Sequence, residues 1–456
     1  MKKLADKLRS IWTIKELKER ILYTILFILI YRLGSFVIIP GVDSTILTKS
    51  LSQQGDNGIV SLINQFAGGS FSRASIFALG IMPYITASIV IQLLGMAVPQ
   101  FQKLQKEGES GRKKMQTYTK LLTIVVTVVQ APTYLASYIE PTGAVVTPGL
   151  FFTITAVAII VASTMFIMWL GEKITEKGVG NGVSLLITVG IIARLPQAFF
   201  AEISTKIQDA AGGRLLFIFV EMIVWFFIIL FTILVIKGVR KVPLEYPKQM
   251  IAGGAINKTQ NGGRRYLPLK VAMAGVMPII FAQAIMFLPQ SLATASFLGD
   301  ATKGVFQEIA NPNTIWYSLT TALFIVIFTY FYTAMIINPR QMADDFKRQG
   351  AYIPGVKPGV DTANFIDNVM TKITFPGSLF LAFIAILPYF ARLGGISNEF
   401  SYFFGGTSLL IMVGVVLDTM LQIDNYVVMR HYDGLMKTGK LTGSESLSES
   451  SSLGGI

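Results

Sequence analysis

Ten hydrophobic runs divide the chain, at approximately residues 21–39, 76–97, 118–138, 150–171, 182–200, 215–237, 271–290, 314–337, 373–391 and 403–423. Each is long enough to cross the roughly 30 Å hydrocarbon core of a bilayer as a helix. The pattern predicts an all-α membrane protein with ten transmembrane helices, the bilayer serving as its solvent. The first run lacks a small-residue cleavage site near its end and carries Arg32, so it reads as a retained helix and not as a removable signal peptide. One further apolar stretch, Ile59, Val60, Leu62, Ile63 and Phe66 within residues 58–75, is too short to span and is followed by Gly68-Gly69-Ser70. It reads as a half-helix with a hinge. Short or irregular helices at membrane depth are tolerated when buried in protein or beside a watery cavity, so it is expected to fold into the bundle from the outer side; a helix lying flat on the bilayer is the alternative.

The octapeptide Gly80-Ile81-Met82-Pro83-Tyr84-Ile85-Thr86-Ala87 returns 195 residues later as Gly275-Val276-Met277-Pro278-Ile279-Ile280-Phe281-Ala282, with five of eight positions identical and each copy opening a helix-length run. Chance recurrence of common membrane residues is the competing explanation, and the glycine and proline matching in register weaken it. A repeat at this spacing divides the chain into an N-terminal half, 21–200, and a C-terminal half, 201–425, of five helices each. An odd number of crossings inverts the second half relative to the first, and inverted repeats build pathways at their interface.

Charge orients the bundle. Lys and Arg number seven in the first 20 residues, six, two, eight and five in the connections after runs two, four, six and eight, and three in the tail, so one side carries 31 and the other 8. By the positive-inside rule both termini are cytoplasmic. The first 20 residues form a cytoplasmic amphipathic segment. The long connections 237–270 and 338–372 project into the cytosol, and the tail 426–456 is cytoplasmic and expected to be disordered after 443, being rich in Ser, Gly and Glu. The loop 237–270 has Arg240-Lys241, Gly253-Gly254, Gly262-Gly263 and Arg264-Arg265, which suits a basic hairpin with a flexible tip. The loop 338–372 passes from Asn338-Pro339-Arg340 through a helix-like Gln341 to Gln349 into Pro354-Gly355-Val356-Lys357-Pro358-Gly359. Ordered loops of this length are usually functional.

Hydrophobic residues make up 52% and charged residues 14% of the chain, too apolar for a soluble protein of this size. The net charge of +13 is accounted for by topology and by contact with anionic phospholipid; ribosomal RNA remains an open contact, and direct DNA binding is not expected. With no cysteine, and His431 as the single histidine, no disulfide, thiol nucleophile or metal site is expected, and no cofactor. No phosphate-binding Gly-Lys-Ser/Thr loop is present, so any driving force comes from partners. Glu221 and Asp418 are the clear acidic residues within the spans; a proton site or an interfacial hydrogen bond would account for either. The midplanes are otherwise almost purely aliphatic. An aliphatic constriction dewets when shut and deforms around what passes, which favours a gated conduit for a large, varied substrate. A secondary transporter for a small solute and an intramembrane enzyme are the rivals.

Several strings resemble the SecY family of protein-conducting channels over nearly the whole chain. They are Phe66 to Leu94 (FAGGSFSRASIFALGIMPYITASIVIQLL), Lys106 to Lys114 (KEGESGRKK), Trp169 to Gly182 (WLGEKITEKGVGNG), Leu267 to Ala282 (LPLKVAMAGVMPIIFA), Asn338-Pro339-Arg340, Pro354 to Gly359 and Phe404 to Leu410. The resemblance implies a channel in the bacterial inner membrane that is not an enzyme and that passes unfolded secretory polypeptides outward and transmembrane helices sideways. It implies a pore ring of Ile81, Ile85, Ile187, Ile191, Ile280 and Ile411, although an isoleucine in a membrane helix commonly faces lipid or packed core. It also implies a plug including Phe66, Gly68, Gly69 and Arg73, and a lateral gate between helices two and three and helices seven and eight. Thr86, Gln92, Gln130 and Leu288 are the gate residues, though ordinary interhelical hydrogen bonding accounts equally well for the three polar ones. The implied partners are the motor ATPase SecA or the ribosome at Arg264, Arg265, Arg340 and Lys357, the small subunits SecE and SecG, signal sequences and nascent polypeptides. Two positions depart from the family pattern: Lys357 stands where arginine is usual, and Leu288 stands where a polar or aromatic residue is common.

Overall fold

In the computed structural model the residues described are 12, 14–47, 64–208, 214–246, 264–273, 275–293, 304–306, 308–309 and 311–452. Each of the ten hydrophobic runs is occupied by a long helix: α1 Lys15–Gly34, α2 Met82–Ala97, α3 Glu109–Tyr134, α4 Leu150–Lys177, α5 Gly182–Gln208, α6 Arg214–Ile236, α7 Met277–Ala293, α8 Ile315–Ile336, α9 Val360–Leu393 and α10 Gly406–Ser452. Seven described helical segments are long and apolar enough to cross a membrane, and an eighth if α2 and the short helix after it, bent by 102°, count as one. The bend falls at Val98-Pro99, where the proline removes a helical donor and clashes with the preceding turn. In α1 the clustered Lys18, Glu19 and Arg20, with Arg32 near the far end, dilute an otherwise apolar helix.

The repeated octapeptide has one conformation twice. Gly80 has φ +54° and Gly275 φ +61°, a left-handed turn that glycine adopts without steric cost. Two residues later α2 and α7 begin, at Met82 and Met277, each with proline in its first turn. Proline suits that position because its missing N–H has no partner to lose there. Ile85 and Ile280 are consequently the fourth residues of their helices. α2 precedes the basic connection leading to α3, whereas α7 follows the one leaving α6, the opposed sense that an inverted repeat requires.

The first long loop forms the expected hairpin. Strands β1 Val239–Glu245 and β2 Arg264–Lys270 pair antiparallel from Val239↔Lys270 to Glu245↔Arg264; its expected flexible tip, with Gly253-Gly254 and Gly262-Gly263, lies outside the described residues. In the second loop a helix, Pro339–Arg348, is capped by the Asn338 side chain accepting from the Gln341 N–H at 3.3 Å. Glu245 and Tyr352 then tie the two loops: they exchange backbone hydrogen bonds of 2.9 and 3.0 Å, and the Tyr352 hydroxyl donates to Glu245 Oε2 at 3.2 Å. That hydrogen bond, together with the carboxylate charge, holds the Tyr352 phenol above its ordinary pKa. Beneath them Val242, Leu244, Leu269, Ile353, Ile366 and Met370 form one buried cluster with the start of α9. Burying this apolar face gives two polar loops a common rigid base.

The backbone of α10 runs as one helix to Ser452.

Candidate conducting path

Ile81 caps α2, Ile85 lies within it, Ile187 and Ile191 lie on α5, Ile280 on α7 and Ile411 on α10. All six join one buried hydrophobic cluster that includes Phe66, and none of the seven is more than 8% exposed. Three of them, Ile85 of α2, Ile187 of α5 and Ile280 of α7, meet around one cavity. Ile187 and Ile191 share a face of α5 because they are one turn apart.

Towards the end bearing the loops, a cavity of about 370 Å³ rests on Ile85, Ile187 and Ile280. Its walls are polar, with Ser88 and Gln92 from α2, Arg112, Gln116 and Lys120 from α3, Glu172, Thr175 and Glu176 from α4, and Asn181 and Ser184 at the entry to α5. Lys120 and Glu172 pair at 2.8 Å. A second cavity of about 450 Å³ shares Asn181, Ser184 and Met277 with the first and reaches Lys270, Asp418 and Asn425. A mixed-charge vestibule therefore ends on aliphatic side chains.

Beyond the isoleucines lie residues 64–75, the described part of the segment that the sequence reading assigns to a plug; residues 58–63 of that segment lie outside the described residues. Gly68 and Gly69 have φ +64° and +87°. The turn is secured by Gly69 N–H to the Asn64 carbonyl at 2.9 Å and by Ser72 N–H to Asn64 Oδ1 at 3.2 Å. Two guanidinium groups grip it: Arg32 donates to the Gly68 carbonyl at 3.2 Å, and Arg73 donates to the Gly69 and Gly68 carbonyls at 3.0 and 3.3 Å. Both stack on Phe36, at 5.4 and 4.4 Å from its ring centre. α5 approaches closely because Gly190 has no side chain; a Cβ there would meet the Phe66 carbonyl at 2.8 Å. The seat is imperfect. Gln65 is only 3% exposed, yet among the described residues neither side-chain amide atom has a hydrogen-bond partner, and the buried Ser70 hydroxyl has none either.

Of the assigned gate residues, Gln92 makes a contact across the bundle: Tyr332 of α8 donates to Gln92 Oε1 at 3.0 Å. Thr86 instead donates to Met82 within α2, at 3.2 Å, and Gln130 is half-buried on α3. Leu288 lies on α7, but its side chain is outside the described residues. Two further groups escaped the sequence reading. Gln283 of α7 donates to the Tyr317 hydroxyl of α8 at 3.1 Å and accepts from Thr407 of α10 at 3.3 Å. Tyr332, hidden in the aromatic string Tyr330-Phe331-Tyr332, was legible only as a hydroxyl needing a partner in an apolar span. On the loop knob Arg265, Arg340 and Lys357 are exposed, Arg265 stacking on Tyr246 at 5.3 Å, and Arg264 opens β2. The Lys357 carbonyl accepts from Thr362 at 2.8 Å, which fixes the turn while leaving the ammonium free to swing.

A sequence profile of the SecY family matches residues 75–420. The chain belongs to the SecY family. Protein translocase subunit SecY of Escherichia coli (strain K12) is 41% identical over 437 residues, covering 94% of this chain and 96% of its own. Its counterpart in Aquifex aeolicus (strain VF5) is 38% identical over 443 residues, covering 95% of this chain and 100% of its own. Among solved structures, a protein-conducting channel superposes with a TM-score of 0.60 at 16% identity, over 90% of this chain and 92% of its own. Sec61 in the canine ribosome–channel complex from the endoplasmic reticulum superposes with a TM-score of 0.55 at 16% identity, over the same shares of the two chains. At that identity the likeness is one of fold, and the fold is the SecY fold. The profile match contains all six isoleucines and the Gln92–Tyr332 contact, and starts at the last residue of the segment 58–75.

Proposed function

We infer that this chain forms a protein-conducting channel, passing unfolded secretory polypeptides across the membrane and releasing transmembrane helices laterally into the bilayer. The observation that carries this reading is the meeting of Ile85, Ile187 and Ile280, from three helices, at the floor of a polar vestibule, inside the same buried cluster as Ile81, Ile191, Ile411 and Phe66. An aliphatic waist excludes water and ions when shut and offers no fixed partner to any particular side chain, so it suits a substrate of arbitrary sequence. It is not built to catalyse: membership is of a family of channel subunits, and the motive force lies with partners.

In this account the six isoleucines are the pore ring and residues 58–75 the plug. The seam between α2 and α8, closed by Gln92–Tyr332, belongs to the lateral gate. Opening the seam breaks one neutral hydrogen bond, about 1 kcal/mol. Transferring a signal sequence's apolar side chains to lipid returns roughly 2 kcal/mol for each leucine-sized group, so a few such residues offset the separation. The exposed Arg265, Arg340 and Lys357, with Arg264, dock SecA or the ribosome on a base made rigid by the Glu245–Tyr352 clasp. Lysine at 357 gives a point charge in place of a planar fork. SecE and SecG are the small membrane partners, anionic phospholipid neutralises the basic side, and both termini face the cytoplasm of a bacterial cell whose inner membrane holds the channel.

The test is reconstitution in vesicles with a precursor and the motor ATPase, reading protease-protected precursor. Translocation should depend on this chain, and replacing Asp418 by Asn should change it less than two-fold. A ten-fold loss in Asp418→Asn, together with uptake that requires an ion gradient, would instead support a proton-coupled carrier.

A further inference from the structure

Three residues beyond Ile280 on α7 stands Gln283, a polar side chain only 8% exposed among aliphatic and aromatic neighbours. Its amide nitrogen donates to the Tyr317 hydroxyl of α8 at 3.1 Å, and its amide oxygen accepts from the Thr407 hydroxyl of α10 at 3.3 Å. Tyr317 and Thr407 are each 7% exposed, so both bonds are shielded from water and lipid. One side chain thus holds its helix to two others. The residue at the same offset in the first copy of the repeat is Ser88, which accepts from Gln92 of its own helix at 3.1 Å and lines the vestibule. The two copies differ here, although their turns and isoleucines agree.

α7 and α10 are three spans apart in the chain and run in opposite directions. Gln283 follows Ile280 by three residues and Thr407 precedes Ile411 by four, so both lie on the same side of the isoleucines, displaced by about 4.5 and 6 Å along their helices. Residues three or four apart share a helix face. The face of α7 carrying Ile280 therefore meets the face of α10 carrying Ile411 where Gln283 and Thr407 bond. Apolar contact alone fixes the register of two membrane helices weakly, because lipid tails are equally apolar, whereas a directed interhelical hydrogen bond selects one spacing. We propose that the Gln283–Thr407 bond is a spacer for the waist, setting α7 against α10 in the register at which Ile280 and Ile411 close on each other, with Tyr317 fixing the direction of the amide. Gln283 is a positioning residue: it acts through the two isoleucines and not by touching the passing chain. That role rests on the reading of these isoleucines as the pore ring.

The full chain is reconstituted in planar bilayers, and its resting ion conductance is recorded with no signal peptide present. Gln283→Leu keeps the bulk and removes both bonds; Thr407→Val keeps the shape and removes the donor. Each should raise the resting conductance about five-fold, the worth of one interhelical hydrogen bond in a bilayer. The double variant should conduct no more than either single one, because both break the same bond, and Thr407→Ser, which keeps the hydroxyl, should stay within about two-fold of native. Native conductance in either Gln283→Leu or Thr407→Val overturns the proposal, even where the melting temperature falls. So does a Thr407→Ser as leaky as Thr407→Val, or a double variant whose effects multiply. Should Gln283→Leu fail to fold, the contrast between Thr407→Val and Thr407→Ser decides alone. Ile280→Ser separates this role from the reading beneath it: if that variant also conducts no more than native, the isoleucines are not the waist and the spacer falls with them, whereas a leaking Ile280→Ser beside a silent Thr407→Val overturns the spacer alone.

Discussion

Replacing Gln65 by Leu should lock the plug in its seat. The Gln65 amide is buried, and among the described residues neither its nitrogen nor its oxygen has a hydrogen-bond partner. Each buried polar group left unpaired costs about 1–3 kcal/mol. When the plug leaves, both groups recover water, so the cost is borne by the closed state alone. At the lower bound for each, leucine of similar size favours the seated plug by about 2 kcal/mol, a factor of roughly 30 in the closed-to-open ratio. Retaining apolar surface in the seat adds to this in the same direction. The assay is channel conductance in planar bilayers: Gln65→Leu should open about 30-fold less often on addition of a signal peptide. Its export of precursors with weakened signals should fall more than export of those with strong ones. An opening frequency equal to or above that of the native channel would refute the reasoning, because Gln65 would then find a partner in the seat.

Other perturbations bear on neighbouring contacts. Tyr332→Phe removes the donor to Gln92 and keeps the ring, so precursors with defective signals should be exported about five-fold faster, read by pulse-labelling, with little change for intact signals. Gly190→Ala sets a methyl 2.8 Å from the Phe66 carbonyl and should displace the plug turn, giving a resting ion leak several-fold above native in proteoliposomes.

Most of the architecture was legible because membrane spans write themselves as length and hydrophobicity: every one of the ten runs became a helix. The repeat was legible for a sharper reason. Gly80 and Gly275 suit a left-handed backbone and Pro83 and Pro278 suit the first turn of a helix, so the same letters favour the same turn twice. The isoleucines were a different matter, since nothing in an isoleucine says whether it meets lipid, core or pore; only the offset shared by Ile85 and Ile280, and the family resemblance, selected them. Partnerships were least readable. Tyr332 finds Gln92 across 240 positions, and Arg32, which enters the sequence reading as evidence against signal-peptide cleavage, donates to the Gly68 carbonyl. Glu202, Lys206 and Glu221 likewise pair where α5 meets α6, whereas sequence spacing shows only the pair on α5.

The central claim is that a polypeptide passes through the isoleucine waist, and the absence of any native cysteine allows a direct test. Single cysteines at Ile85 and Ile280 are crosslinked to single cysteines placed along a secretory precursor stalled in transit. The account predicts adducts at both positions from many successive precursor residues, each site being met in turn as the chain threads. A precursor that crosses the membrane in a manner dependent on this chain, yet touches neither position, would contradict it.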